Sequence, residues 1–331
     1  MIWDPAEADP PVLLRPAASV GAALFSAVTR ARGRMFDLGW LNAAKVDRPV
    51  ISVGNLAVGG TGKTPFTALL AGRIDAKVAI VSRGYGRRDT SDALVVVSKG
   101  EGPIVDVAAA GDEPFLLAQR TSAVVVVCAE RARGARHAIE ALGAEVVLLD
   151  DGFQHRRLKR DVDLVLLDAH VPFGNGRLLP RGPLREPVAA LERASAIVLN
   201  HGAVECAAVD VPIDKPVVEV IEHAEVTAEI EGRRVALLSG IARPSRFVNT
   251  VRRLGGEVVH TFAARDHAWF DAATLEGFFD DARDAEVFLT TEKDAVRMPP
   301  EVAARFAVVR LEHRILRGED ALDLLVAEAL A

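Results

Sequence analysis

The sequence predicts an α/β fold with a mostly parallel sheet flanked by helices, followed by a smaller α/β C-terminal domain. Short β-branched runs alternate with helical stretches from Pro49 onward, a rhythm typical of parallel sheets that carry helices on both sides. Several runs are apolar throughout, as strands buried on both faces are. A length of 331 residues fits two domains, or one large domain with additions.

The strand–helix alternation gives each element in chain order. Strands of the first part are predicted at 50–53, 77–82, 93–98, 123–129, 145–150, 162–168 and 196–200, and helices at 64–73, 113–120, 131–142 and 187–193. After a polar, Pro-punctuated stretch at 202–216, strands are predicted at 217–221, 234–238, 257–262, 286–290 and 306–311, and helices at 246–254, 272–281 and 319–330. We therefore expect an N-terminal helix region (1–35), a phosphate-binding domain (36–205) and a smaller α/β domain (206–331), whose last helix could pack on the first domain.

Charge and cysteine content argue against several classes of protein. The 40 basic and 46 acidic side chains give a net charge of −6, so bulk charge does not favour nucleic acid. Two distant cysteines, Cys128 and Cys206, cannot build a disulfide framework or a Cys-rich metal site, which suits a reducing cytosol. Neither a signal peptide nor a run of about 18 apolar residues is found in the sequence. We expect no nucleic-acid partner and no obligate protein partner.

The N-terminal helix is amphipathic and rich in arginine. Its apolar side combines the residues Ala17, Val20, Leu24, Val28 and Ala31. Two interpretations stay open: a helix packed on its own domain, or an interfacial helix whose arginines meet anionic headgroups.

A glycine-rich segment follows the first predicted strand and opens a helix, which is the arrangement of a P-loop. Its residues are Gly59, Gly60, Thr61, Gly62, Lys63 and Thr64. Glycines let backbone N–H groups wrap phosphates, a lysine neutralises their charge, and a threonine hydroxyl suits Mg²⁺. Ala57 stands where the first glycine of the usual pattern falls.

A second apolar strand ends in two carboxylates, Asp150 and Asp151, as a Walker B element for Mg²⁺ does. Adjacent residues on a strand point to opposite faces, so the two aspartates are expected to have different roles. The strand that ends at Asp168 is similar but lacks the paired acid.

Further polar segments follow other predicted elements. Arg83 and Tyr85 lie in a glycine-rich turn and suit an anionic ligand, although a structural turn is the alternative. Asp112 begins a predicted helix, either as its N-cap or as a catalytic carboxylate. The loop 174–187 is dense in Gly, Pro and Arg, as functional loops are. His267 lies beside aromatic residues, where a structural role is the simpler interpretation.

The motifs together resemble the tetraacyldisaccharide 4'-kinase (lipid A 4'-kinase) family over roughly residues 35–300. They are Gly-Gly-Thr-Gly-Lys-Thr-Pro, Ser-Arg-Gly-Tyr-Gly-Arg, Gly-Asp-Glu-Pro, Asp-Asp-Gly-Phe-Gln-His and Leu-Pro-Arg-Gly-Pro-Leu-Arg-Glu-Pro. The resemblance implies a P-loop kinase that uses ATP and Mg²⁺ to phosphorylate the 4'-hydroxyl of tetraacyldisaccharide 1-phosphate, giving lipid IVA. It also implies a lipid disaccharide substrate and attachment to the anionic cytoplasmic face of the inner membrane.

The resemblance assigns roles to individual residues. It implies catalysis by Asp112, His267, Lys63 and Asp151, with nucleotide binding by Gly59 to Thr64. It implies metal binding by Thr64, Asp150 and Asp151. It places Arg131, Gln154, His155, Arg185 and Glu186 among the further functional residues, and we expect these, together with Arg83 and Tyr85, to bind the substrate.

The alternative is a regulatory P-loop ATPase or GTPase switch at the membrane surface. A partitioning-type ATPase carries an additional lysine where this chain has Val58, and the segment Thr291-Glu292-Lys293-Asp294 has its lysine one place too late for a guanine-binding motif. Both comparisons disfavour the switch.

Overall fold

One twelve-stranded sheet runs through the residues that the computed structural model describes, which are 10–88, 93–207 and 211–331. Its strands are β1 (Val50–Asn55), β2 (Val78–Ser82), β3 (Val95–Lys99), β4 (Val124–Val127), β5 (Val146–Asp150), β6 (Val162–Asp168), β7 (Ala196–Asn200), β8 (Val217–Val226), β9 (Arg234–Ser239), β10 (Glu257–Ala263), β11 (Val287–Thr291) and β12 (Ala307–Arg317). Their order across the sheet is β10-β9-β11-β12-β8-β7-β6-β1-β5-β2-β4-β3.

Helices cover both faces of this sheet. They are α1 (Arg15–Asp37), α2 (Lys63–Arg73), α3 (Val107–Ala110), α4 (Asp112–Arg120), α5 (Arg131–Glu140), α6 (Pro244–Arg253), α7 (Ala272–Asp281), α8 (Glu292–Ala295), α9 (Pro300–Ala303) and α10 (Glu319–Leu330). Short 3₁₀ helices lie at Val12–Leu14 and Val188–Arg193. The second of these corresponds to the helix predicted at 187–193, which is of the 3₁₀ kind.

The strand β1 lies in the middle of the first half of the sheet, between β5 and β6, and pairs with both in parallel. All residues of β1, β5 and β6 are buried, because helices cover both faces, as the continuous apolar runs predict. The carboxyl ends of these strands therefore meet at one edge, where the chain places the glycine-rich segment and the two aspartates.

The strands β8 and β12 form a long antiparallel pair that joins the two halves of the sheet. Both are longer than the predicted strands at 217–221 and 306–311. Their extensions, 222–226 and 312–317, are mostly polar and hold few apolar residues. Backbone pairing between the two strands sustains them, so an apolar run could not reveal their length.

The last helix returns to the first half of the chain. Leu322 of α10 is fully buried in the same core as Ile51 and Val198, and Arg73 at the end of α2 donates a 2.8 Å hydrogen bond to Asp323. Because the sheet runs unbroken from β7 to β8, the predicted boundary near residue 205 stays a prediction. Residues 1–9 and 208–210 of the predicted regions lie outside the described residues.

The helix α1 packs on the body of the protein through its polar face and leaves its apolar side exposed. Arg181 donates a 2.9 Å hydrogen bond to Ser19, and Arg156 donates one of 3.0 Å to the carbonyl of Gly33. The exposed fractions of Val20, Leu24 and Val28 are 72%, 67% and 58%. Among the helices described, none is long and apolar enough to cross a membrane.

Candidate active site

The glycine-rich segment forms a loop between the end of β1 and the start of α2. Gly59 and Gly62 have φ values of 104° and 86°, a region that favours glycine. Asn55 donates a 2.9 Å hydrogen bond to the buried hydroxyl of Thr61. A methyl group on Gly62 would lie 2.5 Å from Nδ2 of Asn200. The six residues predicted to bind nucleotide therefore lie in one loop at the N-terminus of α2, a position that favours an anion, and we call it the phosphate-binding loop.

Ala57 fits this loop without a glycine. Its backbone forms an isolated antiparallel bridge with Leu184 in the Gly, Pro and Arg-rich loop. Its φ is not among the positive values found in the described residues, so a side chain is tolerated there.

Asp150 is the last residue of β5 and Asp151 follows it, and the two side chains have different partners. Asp150 is buried and accepts a 3.1 Å hydrogen bond from Thr67 on α2. Burial and the nearby carboxylates of Glu113 and Asp151 raise the pKa of Asp150 to about 7. Such a crowded pair of oxygen donors beside a phosphate-binding loop suits a divalent cation.

Asp151 faces the cations of the site. It lies 3.6 Å from Nζ of Lys63 and accepts hydrogen bonds of 2.9 Å from Arg185. Burial opposes its ionisation, but the charges of Lys63 and Arg185 outweigh burial and lower the pKa of Asp151. Asp151 and His267 are the two non-glycine residues with positive φ in the described part of the chain, a conformation that clusters at functional sites.

Thr64, Asp150 and Asp151 are the residues that could hold Mg²⁺. Within the described ranges no group of three or more His, Cys, Asp or Glu side chains has the geometry of a metal site. Mg²⁺ in phosphate-transfer enzymes is held by one or two carboxylates, a hydroxyl and the substrate phosphates. The donor set therefore fits Mg²⁺ bound together with a nucleotide.

Asp112 and His267 form a hydrogen-bonded pair. Oδ2 of Asp112 lies 2.8 Å from Nδ1 of His267, and the ring of Tyr85 meets the histidine edge-on at 4.9 Å. Burial opposes the charge on Asp112, but the hydrogen bond from His267, with the charges of Lys293 and Arg297, lowers the pKa of Asp112. An ionised carboxylate can only accept a hydrogen bond, so in this pair Nδ1 of His267 carries the proton and donates the hydrogen bond to Asp112.

The N-cap interpretation of Asp112 is wrong. Gly111 is the N-cap of α4, and Asp112 is its first helical residue. The Asp112 side chain accepts a 2.9 Å hydrogen bond from the amide of its neighbour Glu113, while its other oxygen faces His267. The carboxylate is therefore available for chemistry at the edge of the sheet.

Three charged residues that support this pair were not predicted as site residues. Lys293 of α8 donates a 2.7 Å hydrogen bond to Glu113, and Nε of Arg297 lies 3.6 Å from Oδ2 of Asp112. Burial would lower the pKa of Lys293, but Glu113 and Asp112 raise it. The strand end at Thr291-Glu292-Lys293-Asp294 was visible in the sequence, but its partner on α4 is 180 residues away.

Four of the other predicted residues have defined hydrogen-bond partners or charged neighbours. Gln154 donates a 2.8 Å hydrogen bond to the carbonyl of Asn55. Burial and four nearby arginines lower the pKa of His155 to about 4, so its imidazole is neutral. Burial and the nearby charge of Arg83 lower the pKa of Arg131, and Glu186 pairs with Arg193 at 2.8 Å.

A cleft of about 340 Å³ lies between α1, the phosphate-binding loop and the Gly, Pro and Arg-rich loop. Its lining combines cations with apolar side chains, chiefly Arg32, Arg156 and Arg185 with Phe25 and Leu179. This combination suits a ligand with an anionic head and an apolar body. Gln154, Arg185 and Glu186 line the cleft, whereas Tyr85 lies beside the Asp112–His267 pair.

The chain is similar to known proteins along almost all of its length. The sequence profile of a family described as tetraacyldisaccharide-1-P 4'-kinase matches residues 12–331. The tetraacyldisaccharide 4'-kinase of Anaeromyxobacter dehalogenans strain 2CP-1 is 45% identical over 336 residues, which cover 93% of this chain and 88% of the relative. The tetraacyldisaccharide 4'-kinase of Syntrophotalea carbinolica is 46% identical over 289 residues, with coverage of 83% and 81%.

The fold is also similar to a solved structure. A crystal structure of LpxK from Aquifex aeolicus, described as an "apo" form in complex with ATP, superimposes with a TM-score of 0.79 and 31% sequence identity. The match covers 96% of this chain and 100% of that chain. These comparisons confirm the α/β fold class and the resemblance seen in the motifs. By sequence and by fold, the chain belongs to the tetraacyldisaccharide-1-P 4'-kinase family.

Proposed function

We propose that the chain transfers the γ-phosphoryl group of ATP to the 4'-hydroxyl of tetraacyldisaccharide 1-phosphate, giving lipid IVA in the biosynthesis of lipid A. Membership of the family supports this reaction. The observation that carries it is the Asp112–His267 pair at the same sheet edge as the phosphate-binding loop. Such a juxtaposition brings a proton acceptor to the acceptor hydroxyl beside the donor phosphate.

The phosphate-binding loop would hold the triphosphate. Backbone N–H groups from Gly59 to Thr64 and the ammonium of Lys63 would neutralise its charge. Mg²⁺ bound by Thr64, Asp150 and Asp151 would supply further charge neutralisation for the phosphates. Arg185 donates hydrogen bonds to both oxygens of Asp151, which helps to keep that carboxylate ionised.

Asp112 would accept the proton of the sugar hydroxyl as the new oxygen–phosphorus bond forms. His267 orients the Asp112 carboxylate and holds it ionised through the 2.8 Å hydrogen bond. General-base assistance of this kind contributes about 10²–10⁴-fold to a rate, or roughly 3–5 kcal/mol. The remaining predicted residues, Arg83, Tyr85, Arg131, Gln154, His155, Arg185 and Glu186, would bind or orient the acceptor.

The acceptor is a lipid, and the surface beside the cleft is suited to a membrane. The cleft would take the phosphorylated sugar head, with Arg32 and Arg156 facing its anionic groups. The exposed apolar side of α1 would lie in the headgroup region of the inner membrane, at its cytoplasmic face, with the helix arginines toward anionic lipids.

A regulatory ATPase or GTPase switch is the alternative function, and neither the family match nor the geometry favours it. Purified full-length protein with γ-labelled ATP, Mg²⁺ and tetraacyldisaccharide 1-phosphate separates the two. The kinase moves the label to the lipid, whose mass rises by one phosphate group. Label that appears only in inorganic phosphate would contradict the proposal.

A further inference from the structure

An arginine from the second half of the chain lies against the phosphate-binding loop. Arg243 follows β9 and immediately precedes α6. A methyl group on Gly59 would lie 3.7 Å from Nε of Arg243 and 3.9 Å from its Nη2. The side chain is 11% exposed, so the guanidinium is enclosed between the two halves of the chain.

A buried carboxylate at the end of β6 holds this arginine. Nη1 of Arg243 donates a 2.7 Å hydrogen bond to Oδ2 of Asp168, and Arg246 donates to the same oxygen. The other oxygen of Asp168 accepts a 3.0 Å hydrogen bond from the amide of His170. Since β6 pairs with β1, Asp168 stands at the same sheet edge as the phosphate-binding loop. The single aspartate that looked like an incomplete Walker B is thus an anchor for arginines.

One hydrogen-bond donor of this cluster is unsatisfied. Asp168 pairs with both guanidinium groups, and the charge of Arg246 also acts on the nearby carboxylate of Glu222. Nε of Arg243 is buried and has no hydrogen-bond partner within the described part of the chain. A buried N–H donor without an acceptor is unfavourable, and such groups are usually satisfied by a ligand or water. An anionic oxygen in the loop would accept a hydrogen bond from this donor.

We infer that Arg243 is an arginine finger supplied in cis, which contacts the γ-phosphate of ATP and stabilises the charge on the phosphoryl group during transfer. This inference rests on the proposed function and adds a residue to it. An arginine in this role is worth about 10³–10⁵-fold in turnover in other P-loop enzymes. Its planar fork pairs with phosphate oxygens while Asp168 keeps hold of the other side.

In the reaction, the 4'-hydroxyl oxygen forms a bond to the γ-phosphorus, and the bond between that phosphorus and the bridging oxygen of ADP breaks. The electron pair of the broken bond stays on ADP, and the hydroxyl proton goes to Asp112. Arg243 keeps its protons and changes only its hydrogen-bond partners.

The test compares full-length Arg243→Ala, Arg243→Lys and Arg246→Ala. Arg246 is the matched control, because it binds the same oxygen of Asp168 and its side chain is more exposed than that of Arg243. For Arg243→Ala we expect kcat to fall at least about 100-fold. Its affinity for a non-hydrolysable ATP analogue should fall at least about fivefold more than its affinity for ADP. Arg243→Lys should have a higher kcat than Arg243→Ala, because a lysine keeps the positive charge but lacks the paired N–H donors of the guanidinium group.

Several results would overturn the inference. They are near-wild-type turnover of Arg243→Ala, equal losses in Arg243→Ala and Arg246→Ala, and an equal loss of affinity for ADP and for the analogue. If Arg243→Ala does not fold, the test uses Arg243→Lys instead. Its melting temperature should equal that of wild type, and its kcat should be lower. If wild-type protein transfers no phosphate to the lipid, the proposed function fails, but the comparison of analogue and ADP affinities still decides the role of Arg243.

Discussion

His267 donates a hydrogen bond from Nδ1 to Oδ2 of Asp112 over 2.8 Å, although the two residues are 155 positions apart in the chain. Asp112 is buried, and burial alone would favour its neutral form. The hydrogen bond from His267 and the charges of Lys293 and Arg297 reverse that preference. The second half of the chain therefore decides the ionisation of a carboxylate that belongs to the first half.

Replacing Asp112 by Asn removes the proton acceptor and keeps the shape of the side chain. We expect kcat to fall by about 10²–10⁴-fold, while ATP affinity stays within about threefold of wild type. Single-turnover kinetics with saturating ATP and lipid measure the first quantity, and titration calorimetry measures the second. Wild-type turnover in this variant would remove Asp112 from the proton-transfer step.

Replacing His267 by Ala should move the acid limb of the pH profile to higher pH. Asp112 must be ionised to act, and its pKa lies below the ordinary value because of His267, Lys293 and Arg297. Without the hydrogen bond and charge of His267, only Lys293 and Arg297 oppose burial, so the pKa of Asp112 rises. Activity is then lost at a higher pH as the solution is acidified. The measurement is kcat/KM for the lipid as a function of pH, from about pH 4 to about pH 9.

The matched control for that experiment is His223→Ala. His223 also pairs with a carboxylate, Glu225 at 3.7 Å, but it lies on β8 and is half exposed. Its removal should leave the acid limb where it is in wild type. A profile for His267→Ala that coincides with that of His223→Ala would disprove the control of Asp112 by His267.

Local sequence signals were sufficient for the phosphate-binding loop and the aspartate pair. Apolar runs mark β1 and β5 as buried parallel strands, and the ends of such strands meet at one edge. Gly59 to Thr64 and Asp150 therefore come together without any long-range information. The direction of Asp151 does not follow from alternation along a strand, because β5 ends at Asp150 and Asp151 has a positive φ.

The contacts between the two halves of the chain had no such signal. Lys293 reaches Glu113 and Arg243 reaches Asp168 because β8 and β12 join the halves by a long antiparallel pairing. The sequence of those strands does not indicate their partner or their length. Charged residues at the ends of later strands were visible, but their partners depend on how the halves pack.

Replacing Gly62 by Ala should destabilise the folded protein, whereas Gly60→Ala should not. A methyl group on Gly62 would lie 2.5 Å from Nδ2 of Asn200 and 2.6 Å from Cε1 of His313. Both neighbours are buried, and Asn200 is held by hydrogen bonds to Thr61 and Glu222. The positive φ of 86° adds backbone strain. We expect a loss of about 2–4 kcal/mol in the free energy of unfolding.

Gly60 is the control within the same loop. A methyl group there meets nothing within 4 Å, and its φ lies outside the strained range. Urea unfolding followed by circular dichroism gives both values. Equal stability of the two variants would contradict the close packing of Gly62 against Asn200 and His313.

The exposed side of α1 gives a prediction about membrane binding. We expect the triple variant Val20→Gln, Leu24→Gln, Val28→Gln to lose vesicle binding by at least about 100-fold. Each side chain is more than half exposed. If burying each one in the headgroup region contributes about 1 kcal/mol to binding, the three together change the affinity by roughly this factor. The residues that tie α1 to the body, Ser19 and Gly33, are unchanged, so ATP affinity should be that of wild type.

Leu324→Gln is the control for the triple variant, because it removes an exposed apolar side chain that lies outside α1. Leu324 lies on α10 and is 60% exposed, close to the 67% of Leu24, so the two leucines offer similar apolar area to a bilayer. If α1 is the contact, sedimentation with vesicles of anionic phospholipid is lost in the triple variant and kept in Leu324→Gln. If both variants sediment like wild type, the membrane contact lies on another surface, and the arginines of α1 then serve the cleft alone.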